Sequence, residues 1–513
     1  MADAARVGEI RYGSATGRWI LLTTVLGSGI VMLDGTVVNV ALPTIGRDLN
    51  TSVSALQWIV NAYTLTLAGL ILLGGALGDR YGRRKVFVIG VAWFAVASLL
   101  CGIAPNAEML ILARALQGIG GALLTPGSLA IIQATFHADD RPRAVGAWSG
   151  LGGVATAIGP FLGGWLVDSV NWRWIFLINL PLAAVTIVVA LKHVPETFDA
   201  RQSGRFDISG AALAALGLAG VTWALISAPD SLPTAVVAGV AGIAAGVAFV
   251  MVERRVREPM LPLDVFSSRQ FTAVNIVTLC VYAALSAVLF FLVLQLQTVS
   301  GYSPQNSGLA TLPITVLMLL LSARAGDLAK RMGPRLPMTV GPLLCAGGLL
   351  LMLRIGADAP YITEVLPGVA LLGLGLSVTV APLTATVLAS VDVARAGIAS
   401  GVNNAAARAA GLLAVAGLPA IVGMTGDGYR VPATVDSGFD KAMWICAGLL
   451  VLGAVLAWTT VRSDALEVTA DSGPRAEPAC RTNCAVGAPP LEGDVSAAPS
   501  APSAPGGKAL PGA

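Results

Sequence analysis

Long apolar runs, each about 20 residues in length and nearly free of charge, recur along most of the 513-residue chain. Lipid cannot satisfy free backbone groups, so runs of this length must cross a bilayer as α-helices. About fourteen spans are predicted, at residues 19–42, 56–77, 86–104, 109–132, 144–166, 174–191, 208–228, 233–252, 271–296, 309–325, 337–353, 362–388, 399–422 and 442–461. The pattern predicts an all-α polytopic membrane protein.

Composition and charge support this class. Hydrophobic residues make up 55% of the chain and charged residues 12%, as expected for a multi-pass membrane protein. The net charge of +3 does not indicate a nucleic-acid partner, because the basic residues sort by loop. When the N-terminus is placed in the cytoplasm, one set of loops collects the cluster at residues 80–85 and most other Arg and Lys residues. Both termini are therefore predicted to lie in the cytoplasm.

Two basic loops in different halves of the chain share one pattern. The loop after the second span (75–84) and the loop after the tenth (326–335) both fit G-x-L-[small]-x-R-x-G-x-R. Their glycines allow a tight turn between helices, and an acid near a helix end beside arginines can form a charge network that locks one conformation. The first copy predicts a gating loop made of Gly75, Asp79, Arg80, Gly82, Arg83 and Arg84.

The repeated loop predicts a duplicated transporter architecture. A cytoplasmic N-terminus (1–18) precedes a six-helix half (19–191), and a second six-helix half (271–461) follows an inserted helix pair (208–252). The last segment, 462–513, is rich in Ala, Pro, Gly and Ser. Because that composition cannot bury a core, the segment is predicted to be a disordered cytoplasmic tail.

Asp34 is the one carboxylate within the first span, 19–42. An ionised side chain at bilayer depth costs several kcal/mol unless it is paired or protonated. Counting helical rise places Arg114, in the fourth span, at a similar depth. Asp34 is therefore predicted to carry a coupling proton with Arg114 as its partner. A static ion pair that only holds the bundle together remains the alternative.

Other classes of function lack the residues they need. The sequence has no G-x-x-x-x-G-K-[ST] loop for an ATP-driven pump. It also has no clustered nucleophile, base or metal-ligand set for a membrane enzyme. Accordingly, no catalytic residue, metal site or cofactor is predicted.

The chain resembles the major facilitator superfamily and, within it, the fourteen-span drug:proton antiporters of the EmrB/QacA type. The loop at 75–84 matches the hallmark loop of the superfamily at Gly75, Leu77, Asp79, Arg80, Gly82, Arg83 and Arg84. Further stretches that resemble this subfamily are 33–43, 57–58, 112–120, 159–164 and 172–176. The resemblance covers about residues 19–461.

The resemblance implies a specific function for the fifth span. Gly159, Pro160, Gly163 and Gly164 form the pattern that marks the antiporter branch, which implies a deformable helix that opens or seals the path. Close packing of small residues is the alternative. Arg408, in the thirteenth span, is followed by Ala409 where relatives have a Gln, so no role is carried over to it.

The resemblance implies a proton-motive-force-driven exporter of small amphipathic drugs or antibiotics, which works by alternating access in the bacterial cytoplasmic membrane. Its expected partners are the drug, protons and membrane lipid, and the expected state is a monomer. Proton-coupled uptake of a small metabolite by the same fold is the rival. No substrate-binding residue can be named, but the scarcity of acids inside the spans favours neutral, zwitterionic or monovalent substrates.

Overall fold

The computed structural model describes residues 10–198, 207–256, 259, 261–391 and 396–463. The predicted tail, 462–513, therefore lies almost wholly outside the described residues. Within them the chain forms fifteen α-helices: α1 Ala15–Asp48, α2 Val53–Tyr81, α3 Arg83–Gly102, α4 Ala107–Thr135, α5 Arg141–Ser169, α6 Trp174–Leu177, α7 Asn179–His193, α8 Ile208–Ser227, α9 Leu232–Glu253, α10 Arg269–Leu294, α11 Pro304–Met332, α12 Arg335–Met352, α13 Leu366–Ala389, α14 Ala396–Ile421 and α15 Pro432–Thr460.

Fourteen helical segments among these residues are long and apolar enough to cross a membrane, with α6 and α7 together forming one of them. The predicted all-α membrane fold with about fourteen spans is confirmed. The first helix, Ala15–Asp48, extends beyond the predicted span at both ends. The two helices predicted between the halves, α8 and α9, end within one residue of the predicted boundaries.

Side-chain caps define where several helices begin. Ser14, Ser52, Asn106 and Ser303 each accept a hydrogen bond from the backbone N–H three residues later, at the starts of α1, α2, α4 and α11. Each cap satisfies a backbone donor that has no partner within its helix. These starts lie close to the edges of the predicted spans, so local sequence and hydropathy agree on the boundaries.

The repeated loop pattern has a structural counterpart. Gly82 ends α2 with φ 110°, and Gly333 ends α11 with φ 79°. In each case the next helix begins within two residues. Both values lie in the region that strongly favours glycine. The two copies of the pattern therefore build the same kind of sharp turn between consecutive helices.

The helices pack in two groups. In the first, α4 packs on α2 and α3, and α1 packs on α5 and α7. In the second, α13 packs on α11 and α12, and α10 packs on α14 and α15. The pair α8 and α9 packs together, and α8 also contacts α2 of the first group and α14 of the second. The inserted pair therefore lies beside the seam between the groups.

Candidate functional site

Asp34 lies within α1 and has no exposed surface. Arg114 of α4 forms an ion pair with one carboxylate oxygen through Nη1. Gln117 Nε2 of α4 and Asn179 Nδ2 of α7 donate to the other oxygen at 2.8 and 3.2 Å. Because both oxygens have protein donors, an ionised Asp34 is satisfied without water.

The donors around Asp34 are themselves held in place. Gln117 Oε1 accepts a hydrogen bond from Arg114 Nη1 at 2.6 Å. Ser98 Oγ of α3 accepts from Gln117 Nε2 at 2.8 Å and from Asn179 Nδ2 at 3.3 Å. We call these five residues the Asp34 network. It joins α1, α3, α4 and α7 at the centre of the first helix group.

Arg114 has further contacts on α2 and α6. Its Nε donates to the carbonyl of Ile59 at 3.0 Å. Its guanidinium carbon lies 4.3 Å from the centroid of the Tyr63 ring and 5.7 Å from that of Phe176. Carbonyl oxygens and aromatic faces both attract a cation. These contacts stabilise the buried guanidinium in addition to its ion pair with Asp34.

The sequence placed Asp34 and Arg114 at similar depths, and the structure brings them into contact. Their transport role stays a prediction. The sequence analysis did not predict Gln117, Ser98 or Asn179 as site residues. Gln117 could have been identified from its spacing of three residues from Arg114, which places both side chains on one helix face. Ser98 and Asn179 come from other helices, and their distance along the chain gave no such signal.

Gly82 alone separates α2 from α3, and the other predicted gating residues lie in the last turns of α2 (Gly75, Asp79, Arg80) and the first turn of α3 (Arg83, Arg84). We call this segment, residues 75–84, the Asp79 loop. Asp79 Oδ1 at the end of α2 pairs with Arg83 Nε at the start of α3 at 2.7 Å, across the break at Gly82. Glu196, just after α7, accepts hydrogen bonds from the backbone nitrogens of Arg84 and Lys85 at 3.0 and 3.1 Å. Glu196 therefore caps the first turn of α3 with a carboxylate, where the helix dipole favours a negative charge.

Gly82 is constrained by this cap as well as by its backbone angle. A Cβ at Gly82 would lie 2.7 Å from Glu196 Oε1. Of the remaining predicted loop residues, Gly75 faces Pro126 of α4, with 3.5 Å between the Cβ positions. Arg80 lies over the ring of Tyr81, with its guanidinium carbon 5.7 Å from the centroid. The sequence did not identify Glu196 as a partner of the loop.

The glycines of α5 permit close packing on two sides. Gly159 and Gly163 face Thr36 and Val37 of α1. A Cβ at Gly163 would overlap a Val37 methyl group and would lie 3.0 Å from the Val37 carbonyl oxygen. On another side, a Cβ at Gly164 would lie 2.6 Å from the Cα of Gln305 at the start of α11. The packing interpretation of this pattern is thus observed, whereas its deformability stays a prediction.

Pro160 adds a local irregularity to the same helix. Proline has no N–H, so the carbonyl four residues earlier, at Thr156, loses its helical donor. The Thr36 hydroxyl of α1 approaches that carbonyl at 3.5 Å. The carbonyl of Pro160 itself faces Gly308 of α11. Pro160 therefore lies where α5 contacts α1 of its own group and α11 of the other group.

Polar contacts join the two groups at the end of the bundle remote from the Asp79 loop. Gln57 Nε2 of α2 donates to the carbonyls of Val415 and Ala416 of α14, each at 2.8 Å. Gln297 Nε2, just after α10, donates to the carbonyl of Val40 of α1 at 2.9 Å. These glutamines bond to main-chain carbonyls, so the contacts depend on helix positions and not on partner side chains.

Loops at that end add further bonds between the groups. Tyr429, between α14 and α15, donates through its hydroxyl to the carbonyl of Thr51 at 2.9 Å. Arg430 donates to the carbonyl of Gly46 at 3.2 Å. Asp168, at the end of α5, accepts from the backbone nitrogen of Gln305 at 2.8 Å. Asp168 is exposed, and its carboxylate nevertheless bonds across the two groups.

The beginning of α5, at the Asp79-loop end, is less enclosed. Cβ atoms built at Gly146, Gly150 and Gly153 would meet no other atom within 4 Å. The same holds for Gly35, directly after Asp34. The beginning of α5 and the surface at Gly35 are thus loosely packed, whereas the two groups are fastened together at the remote end.

Comparison with known proteins assigns this architecture to a family. A model described as Major Facilitator Superfamily matches residues 24–415. The chain belongs to the Major Facilitator Superfamily. The predicted resemblance is therefore confirmed, and the chain is a multi-pass membrane protein whose Asp34 network lies inside the matched region.

Relatives within the superfamily cover most of the chain. The puromycin resistance protein of Streptomyces alboniger is 37% identical over 466 residues, which cover 87% of this chain and 92% of that protein. The methylenomycin A resistance protein of Bacillus subtilis is 33% identical over 454 residues, covering 87% and 94%. The multidrug resistance protein Stp of Mycobacterium tuberculosis is 37% identical over 391 residues, covering 75% and 72%.

Solved transporter structures share the fold at much lower identity. A peptide transporter in complex with sulfate superposes with a TM-score of 0.65 at 15% identity, covering 88% of this chain and 96% of that one. A D-xylose-proton symporter gives 0.60 at 18% identity, covering 87% and 98%. At these identities the likeness establishes the Major Facilitator fold and nothing about the substrate.

Proposed function

We propose that this Major Facilitator protein exports small amphipathic drugs or antibiotics across the bacterial cytoplasmic membrane, driven by protons that move in the opposite direction. It works as a monomer in lipid, with both termini in the cytoplasm, and it is a transporter and not an enzyme. Three relatives that cover most of the chain carry names of resistance to puromycin, to methylenomycin A and to several drugs. Their agreement supports export.

The Asp34 network is the observation that carries proton coupling. A carboxylate with no exposed surface lies inside a spanning helix and is satisfied by Arg114, Gln117 and Asn179. Protonation of Asp34 removes half of the ion pair and makes one carboxyl oxygen a donor. The network must then rearrange, and the two protonation states favour different helix positions. A static pair would show no such link between proton and conformation.

The described conformation fits one step of an export cycle. The basic Asp79 loop belongs on the cytoplasmic side by the positive-inside rule, so the end fastened by Gln57 and Tyr429 faces outward. The protein is then closed to the outside, with Asp34 ionised and paired, ready to load substrate from the cytoplasm. When the protein opens outward, the substrate leaves and a proton binds Asp34. The protein returns to the conformation that is open to the cytoplasm with Asp34 neutral, and the proton is then released into the cytoplasm.

Everted membrane vesicles from a pump-deficient host test the direction of transport. Respiration acidifies the vesicle lumen, so a drug:proton antiporter accumulates drug in the lumen and releases protons from it. We expect drug accumulation that a protonophore collapses, together with recovery of a pH-dye signal when drug is added. A proton-coupled uptake carrier would not accumulate the drug under this gradient. Lack of accumulation across a broad antibiotic panel would reject the export proposal.

A further inference from the structure

Arg408 is a cationic residue within α14, a helix long and apolar enough to cross a membrane. Its side chain is partly exposed, but its Nε is enclosed and has no hydrogen-bond partner. Within the described part of the chain no carboxylate forms an ion pair with it. Its helix packs on α10 of the second group and also contacts α2 of the first group. Arg408 is therefore carried by a helix that touches both groups.

A second unpaired donor lies nearby. Asn61 is buried, and its Nδ2 also has no partner. It follows Gln57 by one helical turn and so shares the face of α2 that contacts α14. Gln57 bonds to Val415 of α14. The two helices run antiparallel, so residues after Gln57 on α2 lie on the same side of this contact as residues before Val415 on α14. By helical rise, Tyr63 is about 9 Å from this contact along α2 and Arg408 about 10 Å from it along α14.

Asp34, the buried acid of the first helix group, is not available to balance Arg408. Asp34 is already occupied by Arg114, Gln117 and Asn179. A guanidinium inside a membrane bundle is costly without a counter-charge. Arg408 Nε and Asn61 Nδ2 are both hydrogen-bond donors without acceptors, and Arg408 is also a cation. A ligand with a negatively charged acceptor group would satisfy both. A cationic drug would instead meet repulsion at this position.

We propose that Arg408, assisted by Asn61, binds an anionic group of the exported molecule, such as a carboxylate or phenolate. This inference rests on the proposed export function and narrows its substrate class. It also narrows the expectation from sequence, because the scarcity of acids favoured neutral, zwitterionic or monovalent substrates without distinguishing among them. Tyr63 contacts Arg114 and follows Asn61 by two residues on α2, so the proton site and this anion subsite both involve that helix.

Two dyes with the same xanthene core separate the effect of charge from that of shape. Fluorescein is anionic at neutral pH, and rhodamine 6G is a cation whose carboxylate is esterified. Binding of each dye to the purified, lipid-reconstituted protein is measured by fluorescence anisotropy. Wild-type protein should bind fluorescein saturably, and Arg408→Gln should weaken that binding about tenfold or more, since charged hydrogen bonds carry this much affinity.

Further variants make the test independent of folding. Arg408→Lys keeps the charge but loses the planar fork, so it should retain intermediate fluorescein affinity. Asn61→Leu should weaken fluorescein binding less than Arg408→Gln does. Rhodamine 6G affinity should stay the same or rise in each. Arg354→Gln removes the same charge from an exposed position after α12 and should leave both affinities unchanged.

The outcomes distinguish this inference from the function on which it rests. Absence of saturable fluorescein binding to the wild type overturns the inference, as does an Arg408→Gln affinity within twofold of wild type or an equal loss for both dyes. Proton-driven export of rhodamine 6G without export of fluorescein retains the exporter and rejects the anion subsite. Absence of proton-driven export for every compound tested rejects the function itself.

Discussion

The guanidinium of Arg114 lies on the ring of Tyr63, with 4.3 Å between its carbon and the ring centroid. The Tyr63 hydroxyl donates to the carbonyl of Val31 on α1 at 3.2 Å. Tyr63 thus links the cation of the proposed proton site to the helix that carries Asp34. A ring held in this way stabilises the Arg114 guanidinium.

Substitution of Tyr63 tests this support. Tyr63→Phe keeps the aromatic face and loses one hydrogen bond, so we expect export within about threefold of wild type. Tyr63→Leu loses the cation–π contact, which contributes about 0.5–2 kcal/mol, and export should fall several-fold. The measurement is the initial rate of drug accumulation in everted vesicles, normalised to protein level. Equal rates for the two variants would show that the ring contact is unimportant.

Asp34→Asn tests proton coupling directly. Asparagine preserves the shape of the side chain and cannot carry the coupling proton, so pH-gradient-driven export should fall at least tenfold while the protein still inserts. Asp230→Asn removes an exposed carboxylate between α8 and α9 and is the matched control. If Asp34→Asn retained more than half of the wild-type rate, the buried pair would be structural and the coupling site would have to be elsewhere.

Arg114 distinguishes charge from geometry at the same site. Arg114→Ala leaves the Asp34 carboxylate without its cation and should abolish export. Arg114→Lys preserves the charge but cannot donate simultaneously to Asp34, Gln117 and the Ile59 carbonyl as the planar fork does. We expect partial export from Arg114→Lys, measured in the same vesicles. Full activity of Arg114→Lys would mean that the fork geometry has no role.

Hydropathy predicted the spanning helices because lipid forces each apolar run of sufficient length to be helical. Helical rise was enough to place Asp34 and Arg114 at one depth. It was not enough to identify Asn179 or Glu196 as partners, because the rotation of one apolar helix against another leaves little trace in sequence. The glutamine contact at Gln57 was equally inaccessible, since its acceptors are main-chain carbonyls and have no side-chain signature.

Gly82→Ala tests the turn between α2 and α3. Alanine at φ 110° is strained, and its Cβ would lie 2.7 Å from Glu196 Oε1. Gly78→Ala is the matched control, because a Cβ there would lie 3.9 Å from the Cα of Arg83, an ordinary contact. If the loop gates transport as predicted and does not bind substrate, Gly82→Ala should lower the maximal export rate several-fold with little change in KM. A defect confined to KM would contradict gating.

Gln57→Leu tests the fastening between the helix groups. It removes both hydrogen bonds to Val415 and Ala416, which together contribute about 1–2 kcal/mol inside a membrane. The population of the conformation closed at this end should fall about five- to thirty-fold relative to its alternative. Spin labels at the exposed residues Asn50 and Asp427 report the change as a longer distance in pulsed electron paramagnetic resonance.

A second glutamine supplies the control for that measurement. Gln270 Oε1 accepts from the backbone nitrogen of Arg462, and both residues belong to the second helix group. Gln270→Leu therefore makes the same chemical change without removing a bond between the groups, and the distance between Asn50 and Asp427 should not change. If Gln57→Leu also left that distance unchanged, loop contacts such as Tyr429 to Thr51 would hold the end closed by themselves. Adding Tyr429→Phe to Gln57→Leu should then lengthen it, because the hydroxyl bond to Thr51 is lost as well.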